Sequence, residues 1–362
     1  MRIVFDVSPL SHPPTGVGYY IRGTLAGLVE AAGDEHEVIA LGPTSAWGVG
    51  YLREALEGIP LRQQIRVLPF AHALRTTWSK LGWPPVERFT GPLDVFHYSD
   101  WMYPRQRSGV RATTVHDLVP LRYPQWVQGR TRRMHSAKVR QMAESCDVVF
   151  CNSQFTAAEV AELVGIEPAR LRVAHPAADA LFTPNGEEET LGRPYLLSVA
   201  TLEPRKNLQA LLQAYELLRN EPDGRELGLA LVGAEGWGGP LPLASERIFR
   251  LGYVAREEIA RLYRGAAAFV YPSLFEGFGM PILEAMASGA PCVVSSHPSM
   301  DEACGEAAVR VDPSDPEALA GGILDALKRR AELAELGLHQ ARRFSWREAG
   351  ETMLAGYSEA AS

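Results

Sequence analysis

Cysteine is scarce in this chain, which has only four in 362 residues (Cys146, Cys151, Cys292 and Cys304). The four show no metal-type spacing and are too few for a disulfide scaffold, so we expect a protein of a reducing compartment. No apolar run approaches the roughly 18 residues that a membrane-spanning helix needs. The first residues already have the pattern of a strand and leave no room for a signal peptide. The sequence therefore predicts a soluble, intracellular protein.

Several catalytic signatures are also absent. The sequence has no GxxxxGK[ST] phosphate loop, no GxSxG nucleophile elbow, no HExxH zinc motif and no complete GxGxxG. These absences argue against phosphoryl transfer on a phosphate loop, serine hydrolysis and zinc proteolysis. The sequence also lacks an Asp-x-Asp pair that could chelate a cation. We therefore expect no dedicated metal site and no cofactor.

What the sequence does have is a regular alternation of strand-length apolar runs with helical patterns in both halves. Such alternation predicts an α/β fold of βαβ units, with parallel sheets covered by helices on both faces. The length fits two doubly wound domains of this kind. A turn-rich stretch and an acidic run separate them, so we assign 1–179 to the first domain and 180–344 to the second. Because ligands bind at the carboxyl ends of parallel strands, we expect both sheets to face a cleft.

The net charge of −7 conceals an uneven distribution of charge along the chain. Residues 58–143 contain fourteen basic and only four acidic side chains, and the rest of the chain is acidic. A helical pattern at 129–140 contributes Arg130, Arg132, Arg133, Lys138 and Arg140. The acidic average therefore does not exclude an anionic partner. A solvated helix face explains such a run of charges equally well.

Two motifs of the first half lie where an α/β domain binds ligands. The sequence TGVG at 15–18 follows the first strand and begins a predicted helix. Its two glycines let the backbone approach a ligand, and the free amides of a helix N-terminus favour a phosphate. His116 ends a later strand, a position from which a histidine can donate a hydrogen bond to a sugar hydroxyl. The structural alternatives are a tight strand-to-helix turn and a local hydrogen bond between His116 and Asp117.

A third motif places two adjacent cations before a helix of the second half. Arg205 and Lys206 stand in PRKN at 204–207, after a strand and a turn that the proline orders. Cations near a helix N-terminus oppose the helix dipole, so another group must favour them there. A diphosphate is one such group, although Arg-Lys pairs are also common on protein surfaces.

The most informative stretch is YPSLFEGFGMPILEAMASG at 271–289. It predicts a strand, a glycine-rich turn and a helix that Pro281 begins. Glu276 then lies in the turn, and Glu284 lies about one turn into the helix, where its two oxygens can accept hydrogen bonds from paired hydroxyls. Carboxylates recognise ribose in this way in dinucleotide-binding domains. Two solvated glutamates on a flexible turn are the structural alternative.

Together these motifs resemble the retaining GT-B glycosyltransferases of family 4. The resemblance rests on Glu276-x7-Glu284 within EGFGMPILEAMASG and on PRKN, and it extends over nearly the whole chain. It is supported by TGVG, by the strand-end His116 and by AHP at 174–176 ahead of Asp179. One departure is MDE at 300–302, where the family usually has Pro-Glu, and we expect it to change a loop rather than the chemistry. In this fold the last helix returns to the first domain, which adds 345–362 to it.

The resemblance implies a role for each matching residue. Arg205 and Lys206 would bind the donor diphosphate, and Glu284 would bind the ribose hydroxyls. Glu276 would bind the hydroxyls of the transferred sugar, and His116 would lie near the reacting centre. The other donor-binding positions belong to the first helix N-terminus, the base site and the glycine-rich turn: Gly16, Val17, Gly18, Tyr253, Val254, Gly277, Phe278, Gly279, Met280 and Pro281.

The activity that the resemblance implies is that of a retaining hexosyltransferase that uses a nucleotide sugar and no metal. The opening DVSPL, with TGVG and HDLVP at 116–120, is similar to members that transfer mannose from GDP-mannose in polysaccharide or O-antigen assembly. A UDP-hexose such as UDP-glucose is the next donor to consider. A nucleotide-sugar epimerase or hydrolase on the same fold, and an inactive sugar-binding scaffold, are the alternatives.

The resemblance implies that the first domain binds the acceptor, a glycan or a lipid diphosphate. Residues 58–143, the basic segment, suit such an acceptor or an anionic membrane surface, since Trp78 and Trp83 are predicted to lie there in a Pro-rich loop. We therefore expect a cytoplasmic protein that can associate with the inner face of the cell membrane. We expect no nucleic-acid partner, because the sequence contains no recognisable nucleic-acid-binding module.

Overall fold

The structure is a computed structural model that describes residues 1–99, 104–127, 129–236 and 246–362. These residues divide into two compact units, Met1–Pro176 with Ser345–Ser362, and Ala177–Phe344. Asp179, which the sequence analysis assigned to the first domain, lies in the second unit, where its carboxylate pairs with Arg256 at 2.6 Å. Asp100 and the side chain of Arg130, both counted in the basic segment, lie outside the described residues.

The first unit is built on a sheet of parallel strands. The strands are β1 Arg2–Asp6, β2 Glu37–Thr44, β3 Arg62–Val67, β4 Val95–Tyr98, β5 Val110–Val115, β6 Val148–Cys151 and β7 Leu171–Val173. Among the described residues their order is β3-β2-β1-β4-β5-β6-β7. The order reverses between β1 and β4, which is the point where open α/β sheets bind ligands.

Helices cover both faces of this sheet. Successive residues of β1 point to opposite faces, so Ile3 and Phe5 join one buried cluster and Val4 joins the other. Because both faces are covered, the strand is apolar throughout its centre. The helices of this part of the chain are α1 Gly16–Ala32, α2 Gly48–Ala55, α3 Ala71–Leu81, α4 Glu87–Thr90, α5 Val119–Arg122, α6 Gly129–Ser145 and α7 Gln154–Val164.

Trp78 corrects one sequence expectation, because it lies on α3 rather than in a Pro-rich loop. Its indole N–H donates a hydrogen bond to the carbonyl of Pro84, and its ring meets Phe89 edge-on with centroids 5.3 Å apart. These contacts fold the proline-containing segment back onto the helix and leave Trp78 partly buried. Trp83 does follow the end of α3, and 76% of it is exposed.

The second unit has a parallel sheet of the same kind. Its strands are β8 Tyr195–Val199, β9 Gly228–Val232, β10 Ile248–Gly252, β11 Ala268–Tyr271, β12 Cys292–Ser295 and β13 Ala308–Val311. In the described part of the unit they run in the order β10-β9-β8-β11-β12-β13. Its helices are α8 Leu208–Leu218, α9 Arg256–Gly265, α10 Met280–Ala287, α11 Asp301–Cys304, α12 Pro316–Lys328 and α13 Arg330–Ala341.

The C-terminal helix α14, Trp346–Ala361, packs against α1 in the first unit. The contact is close because glycines form it: a Cβ at Gly27 would lie 1.7 Å from the carbonyl oxygen of Trp346, and one at Gly350 would lie 2.1 Å from Gly27. The prediction of an α/β fold with two doubly wound sheets and a last helix that returns to the first unit is therefore confirmed.

Candidate active site

The predicted cation pair lies in a short turn at the carboxyl end of β8. Pro204–Lys206 forms one 3₁₀ turn, and Asn207 ends it in the left-handed conformation with φ of 54°. The Asn207 side chain donates a hydrogen bond of 2.7 Å to the carbonyl of Pro313. The amide of Leu274 donates to the carbonyl of Arg205 at 2.8 Å. This bond joins the cation turn to the loop that follows β11.

Glu276 lies in that loop, between β11 and α10. Phe275 and Phe278 on either side of it are almost fully buried, and they fix the loop against the core. The amide of Glu276 donates to Ser299 Oγ at 3.1 Å. Gly279 adopts φ of 99° immediately before α10, a conformation that favours glycine, and so lets the chain turn sharply into the helix. The loop thus holds the carboxylate of Glu276 at the sheet edge.

The carboxylate of Glu276 accepts hydrogen bonds from both predicted cations. Arg205 Nη1 lies 2.7 Å from one oxygen, and Lys206 Nζ lies 2.6 Å from the other. The hydroxyl of Tyr271 donates to that second oxygen at 3.0 Å. Arg205 also pairs with Glu203 at 2.9 Å. The structure therefore brings Arg205, Lys206 and Glu276 into one cluster, to which Tyr271 and Glu203 also belong.

Electrostatics keep Glu276 ionised although it is 7% exposed. Burial by itself raises the pKa of a carboxylate, but Arg205 and Lys206 outweigh it and hold the pKa of Glu276 at about 2. Burial and the charge of Arg205 lower the pKa of Lys206 below its ordinary value. Two positive and two negative side chains, counting Glu203, thus form a compact charged group.

Glu284 lies in a different cluster, on α10. Its Oε1 pairs with Arg256 at 3.1 Å, and Tyr263 donates to its Oε2 at 3.4 Å. Burial raises the pKa of Glu284 to about 7, since Arg256 lowers it only in part and Asp179 raises it further. The Arg256 guanidinium also stacks over Phe182, 4.7 Å from the ring centroid. This carboxylate therefore titrates near neutral pH.

Glu284 pairs with Arg256, and Arg256 also pairs with Asp179; the sequence patterns predicted neither contact. Arg256 is the first residue of α9, so it is a cation at a helix N-terminus. Like Arg205 and Lys206, it opposes the helix dipole, so another group must favour it there. Arg256 also comes two residues after Val254, so the sequence already showed a cation next to the predicted base site. Nothing in the sequence indicated, in contrast, that Glu203 would pair with Arg205 or that Tyr271 would donate a hydrogen bond to Glu276.

The remaining predicted residues of the second unit differ in exposure. Tyr253 is 58% exposed just after β10, whereas Val254 is partly buried against the core. Phe278 packs edge-on against Phe344 with centroids 5.5 Å apart, so its ring belongs to the core. Gly277 and Gly279 are buried in the turn, and the partly buried Met280 and Pro281 begin α10.

In the first unit, TGVG forms the N-terminus of α1. Thr15 caps the helix by accepting a hydrogen bond from the Gly18 amide at 3.3 Å. Gly16 and Val17 are exposed, and nothing lies within 4 Å of a Cβ built at Gly16. The turn therefore leaves room for a group to approach the first amides of the helix.

His116 follows β5 and packs edge-on against Tyr20, with ring centroids 4.9 Å apart. Its backbone carbonyl accepts a hydrogen bond of 2.8 Å from Asn152. Burial and the charge of Lys138 lower the pKa of His116 to about 3. The imidazole is therefore neutral at physiological pH and can donate a hydrogen bond without adding charge.

Three structural findings bear on cofactors and compartments. In the residues that the structure describes, no group of three or more His, Cys, Asp or Glu side chains could hold a metal ion. None of the described helices is both long and apolar enough to cross a membrane. The four cysteines are free and buried.

Comparison with known families matches both units. The family described as "Glycosyltransferase Family 4" matches residues 14–180, and the one described as "Glycosyl transferases group 1" matches 193–329. O-antigen chain mannosyltransferase B of Escherichia coli is 30% identical in an alignment over 390 residues, and the alignment covers 99% of this chain and 99% of that protein. The serotype-specific mannosyltransferase WbdA of Escherichia coli is 30% identical over 270 residues, which cover 67% of this chain and 32% of WbdA.

Solved structures show the same architecture. HepE of Anabaena in complex with UDP-glucose has a TM-score of 0.71 at 17% identity, covering 99% of this chain and 100% of HepE. Sucrose-phosphate synthase of Thermosynechococcus elongatus has a TM-score of 0.68 at 19% identity, covering 99% and 98%. The fold is thus that of the GT-B glycosyltransferases. The chain belongs to glycosyltransferase family 4, which confirms the resemblance and the prediction of a hexosyltransferase.

Proposed function

We propose that the protein transfers mannose from GDP-mannose to a glycan or lipid-linked acceptor, with retention of configuration and without a metal. The observation that carries the proposal is the ionised Glu276, held between Arg205 and Lys206 beside the glycine-rich turn. Two mannosyltransferases of Escherichia coli, each 30% identical, support mannose as the sugar. Tyr253 and Val254, with Glu284, bind the nucleoside of the donor.

The cations act on the leaving group in this mechanism. Cleavage of the bond between sugar and diphosphate places negative charge on the diphosphate and positive charge on the anomeric carbon. Arg205 and Lys206, which hydrogen bonds to Phe275 and Tyr271 already hold in place, stabilise the developing negative charge without reorganisation. The amides at the N-terminus of α10 contribute in the same direction. In the first unit, Gly18 contacts the diphosphate and neutral His116 donates a hydrogen bond to a substrate hydroxyl.

Glu276 orients the sugar and is not a covalent nucleophile. Its oxygens already accept from Arg205, Lys206 and Tyr271, which lowers their nucleophilicity. The anomeric configuration is retained because the acceptor hydroxyl attacks the face that the diphosphate leaves. The leaving phosphate is the base that takes the proton of this hydroxyl. NMR of the product would show the retained anomeric configuration. A glycosyl adduct on Glu276, trapped and identified by mass spectrometry, would overturn the assignment.

The role of the cation turn is tested by Arg205→Ala. We expect kcat to fall by about 10²–10³, because charge develops next to Arg205 in the transition state. Arg219→Ala is the matched control, since Arg219 is an exposed cation that follows α8 and pairs with the exposed Glu216. Turnover of Arg205→Ala within a few-fold of wild type, with an unchanged melting temperature, would refute the diphosphate role.

A UDP-hexose is the competing donor, because HepE, of the same fold, was crystallised with UDP-glucose. Thermal shift with GDP-mannose, UDP-glucose and other nucleotide sugars, followed by turnover of those that stabilise the protein, separates the two. We expect the largest shift with GDP-mannose. Release of nucleotide at the full rate without acceptor would instead indicate an epimerase or hydrolase. No stabilisation by any donor would indicate an inactive scaffold.

The basic segment of the first unit, residues 58–143, supports a proposal for the acceptor and the location. We propose that this unit binds a glycan or lipid-diphosphate acceptor and that the protein is cytoplasmic and associates with the anionic inner face of the cell membrane. Arg132, Arg133 and Arg140 are exposed on α6, as an anionic partner requires. Co-sedimentation with liposomes that did not depend on anionic lipid would remove the membrane part of the proposal.

A further inference from the structure

Exposed apolar side chains are concentrated around α3. Twelve large hydrophobic side chains are exposed among the described residues, and six of them lie between Val67 and Phe89. Phe70, Leu74 and Leu81 are 87%, 45% and 72% exposed. A spacing of seven residues places Leu74 and Leu81 on one face of the helix, and Phe70 precedes its first turn. Trp83, 76% exposed, lies two residues beyond the end of the helix.

Phe70 is held in an unusual backbone conformation. Its φ of 51° and ψ of 43° are left-handed, which is uncommon for a residue with a bulky side chain. Glycine or asparagine would fit this position with less strain. The aromatic ring is not required by the core either, because it is 87% exposed. Strain of this kind persists at sites where the side chain has a function.

Exposed cations lie around this surface. Lys80, Arg88, Arg105 and Arg107 are exposed, and a Cβ at Gly82 would lie 3.5 Å from the Cβ of Arg105. In the described residues of 58–99 and 104–127, the acidic side chains each accept a hydrogen bond from a backbone amide: Glu87 from Arg107, Asp94 from Arg2 and Asp117 from Val119. The exposed cations lie beside exposed apolar side chains, an arrangement complementary to an anionic bilayer.

We propose that α3 and its flanks insert into the interface of an anionic bilayer. Phe70, Leu74, Leu81 and Trp83 enter the boundary between head groups and acyl chains, and the surrounding cations contact lipid phosphates. The inference rests on the membrane association proposed above and assigns it to α3. The basic helix α6 is less suited to insertion, since none of the large hydrophobic side chains exposed in the described residues lies on it.

A buried side chain of α3 reaches the carboxyl end of the sheet. Arg75, 7% exposed, donates to Ser8 Oγ at 2.8 Å, and Ser8 in turn donates to Asp6 at the end of β1. Asp6, Ser8, Arg75 and Trp78 line one small pocket, next to the point where the strand order reverses. One helix thus joins the lipid-facing surface to the sheet edge where a polar acceptor head group can bind.

Phe70→Gly is the sharpest single test. Glycine relieves the left-handed strain, so the melting temperature should stay the same or rise while binding to vesicles of phosphatidylglycerol and phosphatidylcholine weakens about threefold or more. The triple change Phe70→Ser, Leu74→Ser and Leu81→Ser should weaken it by about tenfold or more. A control triple on other helices, Leu163→Ser, Leu217→Ser and Leu336→Ser, removes side chains of 38–41% exposure and should leave vesicle binding unchanged.

Each of the following results would by itself overturn the proposal. It fails when wild type does not bind these vesicles, binds phosphatidylcholine alone equally well, or binds no better than the α3 triple variant. It also fails when the triple variant changes a dimer into a monomer without affecting vesicle binding, because α3 would then join two copies of the chain. Stabilisation by GDP-mannose or UDP-glucose is measured on the same variants. Loss of vesicle binding with intact donor stabilisation separates this inference from the proposed chemistry.

Discussion

Glu276 and Glu284 are two buried glutamates of one motif, but their surroundings move their pKa values in opposite directions. Glu276 contacts two cations directly, at 2.7 and 2.6 Å, and its pKa is about 2. Glu284 has one cation at 3.1 Å, which also pairs with Asp179, and its pKa is about 7. Similar burial thus produces a permanent charge in one cluster and a titrating group in the other.

The two pKa values have opposite consequences for how the free energy of unfolding depends on pH. The pKa of Glu276 in the folded protein lies below the ordinary value of 4.5, so its ionisation stabilises the fold above about pH 4.5. That contribution is lost as the pH falls towards 2. The pKa of Glu284 lies above 4.5, so the folded state loses stability as the pH rises from about 4.5 to about 7. A donor hydroxyl pair that hydrogen-bonds the ionised form of Glu284 would offset this loss.

The largest effect is expected for Glu276→Gln. Loss of this charge removes the carboxylate that the buried Lys206 and the partly buried Arg205 share, which should lower the free energy of unfolding by about 3–5 kcal/mol at pH 7. We expect turnover to fall by about 10²–10³ because the sugar loses its orienting group. Chemical denaturation and steady-state kinetics measure the two effects. An unchanged free energy of unfolding would mean that the cation cluster does not depend on Glu276.

Glu284→Gln should have the opposite effect on stability. An amide removes the cost of a buried carboxylate, so the free energy of unfolding should rise by about 3 kcal/mol at pH 8. Arg256 keeps Asp179 as its partner at 2.6 Å, so the change does not leave it uncompensated. The gain should largely disappear near pH 4.5. The KM for the donor should rise by about 10- to 100-fold, since hydrogen bonds to a charged group are lost.

Thermal unfolding of Glu276→Gln and Glu284→Gln side by side is the direct test of the comparison. A loss for the first and a gain for the second at pH 8 would confirm it. If both variants lost stability equally at pH 8 and at pH 5, the two carboxylates would have equivalent surroundings. The contrast in pKa would then be wrong.

A smaller effect is expected for Arg256→Met, which removes the cation beside Glu284. The pKa of Glu284 should rise further above 7, so the donor KM at pH 7 should increase about tenfold and recover largely at pH 9. Arg256→Lys, which keeps the charge, should shift the pH profile much less. We expect kcat to change less than KM in both variants. An increase in KM that is equal at every pH would show that Arg256 supports only the local fold.

The sequence predicted the second unit's motif well, because its signals are local. A strand, a glycine-rich turn and Pro281 follow one another within a few residues, and the structure has β11, the turn and α10 in that order. The same holds for TGVG at the start of α1. Trp78 was predicted wrongly, because its hydrogen bond to Pro84 and its contact with Phe89 folded a proline-containing segment back onto a helix.

The partners of the two glutamates show what local patterns miss. Lys206 was identified as a cation near a helix, but its distance from Glu276 depends on loops that follow two different strands. Asp179 and Arg256 lie far apart in the sequence and meet at 2.6 Å only in the folded unit. The exposure of Phe70 is also a property of the fold, since an apolar residue before a helix is more often buried.

The sequence by itself determined the alternation of strands and helices, the placement of Glu276 and Glu284 at a sheet edge, and the family. These features follow from hydrophobic periodicity and from backbone preferences of glycine and proline, which act over a few residues. Tertiary structure alone decided that Glu276 is ionised while Glu284 titrates near neutrality. A pKa depends on burial and on distances to charges from remote segments, and only the packed fold sets those distances.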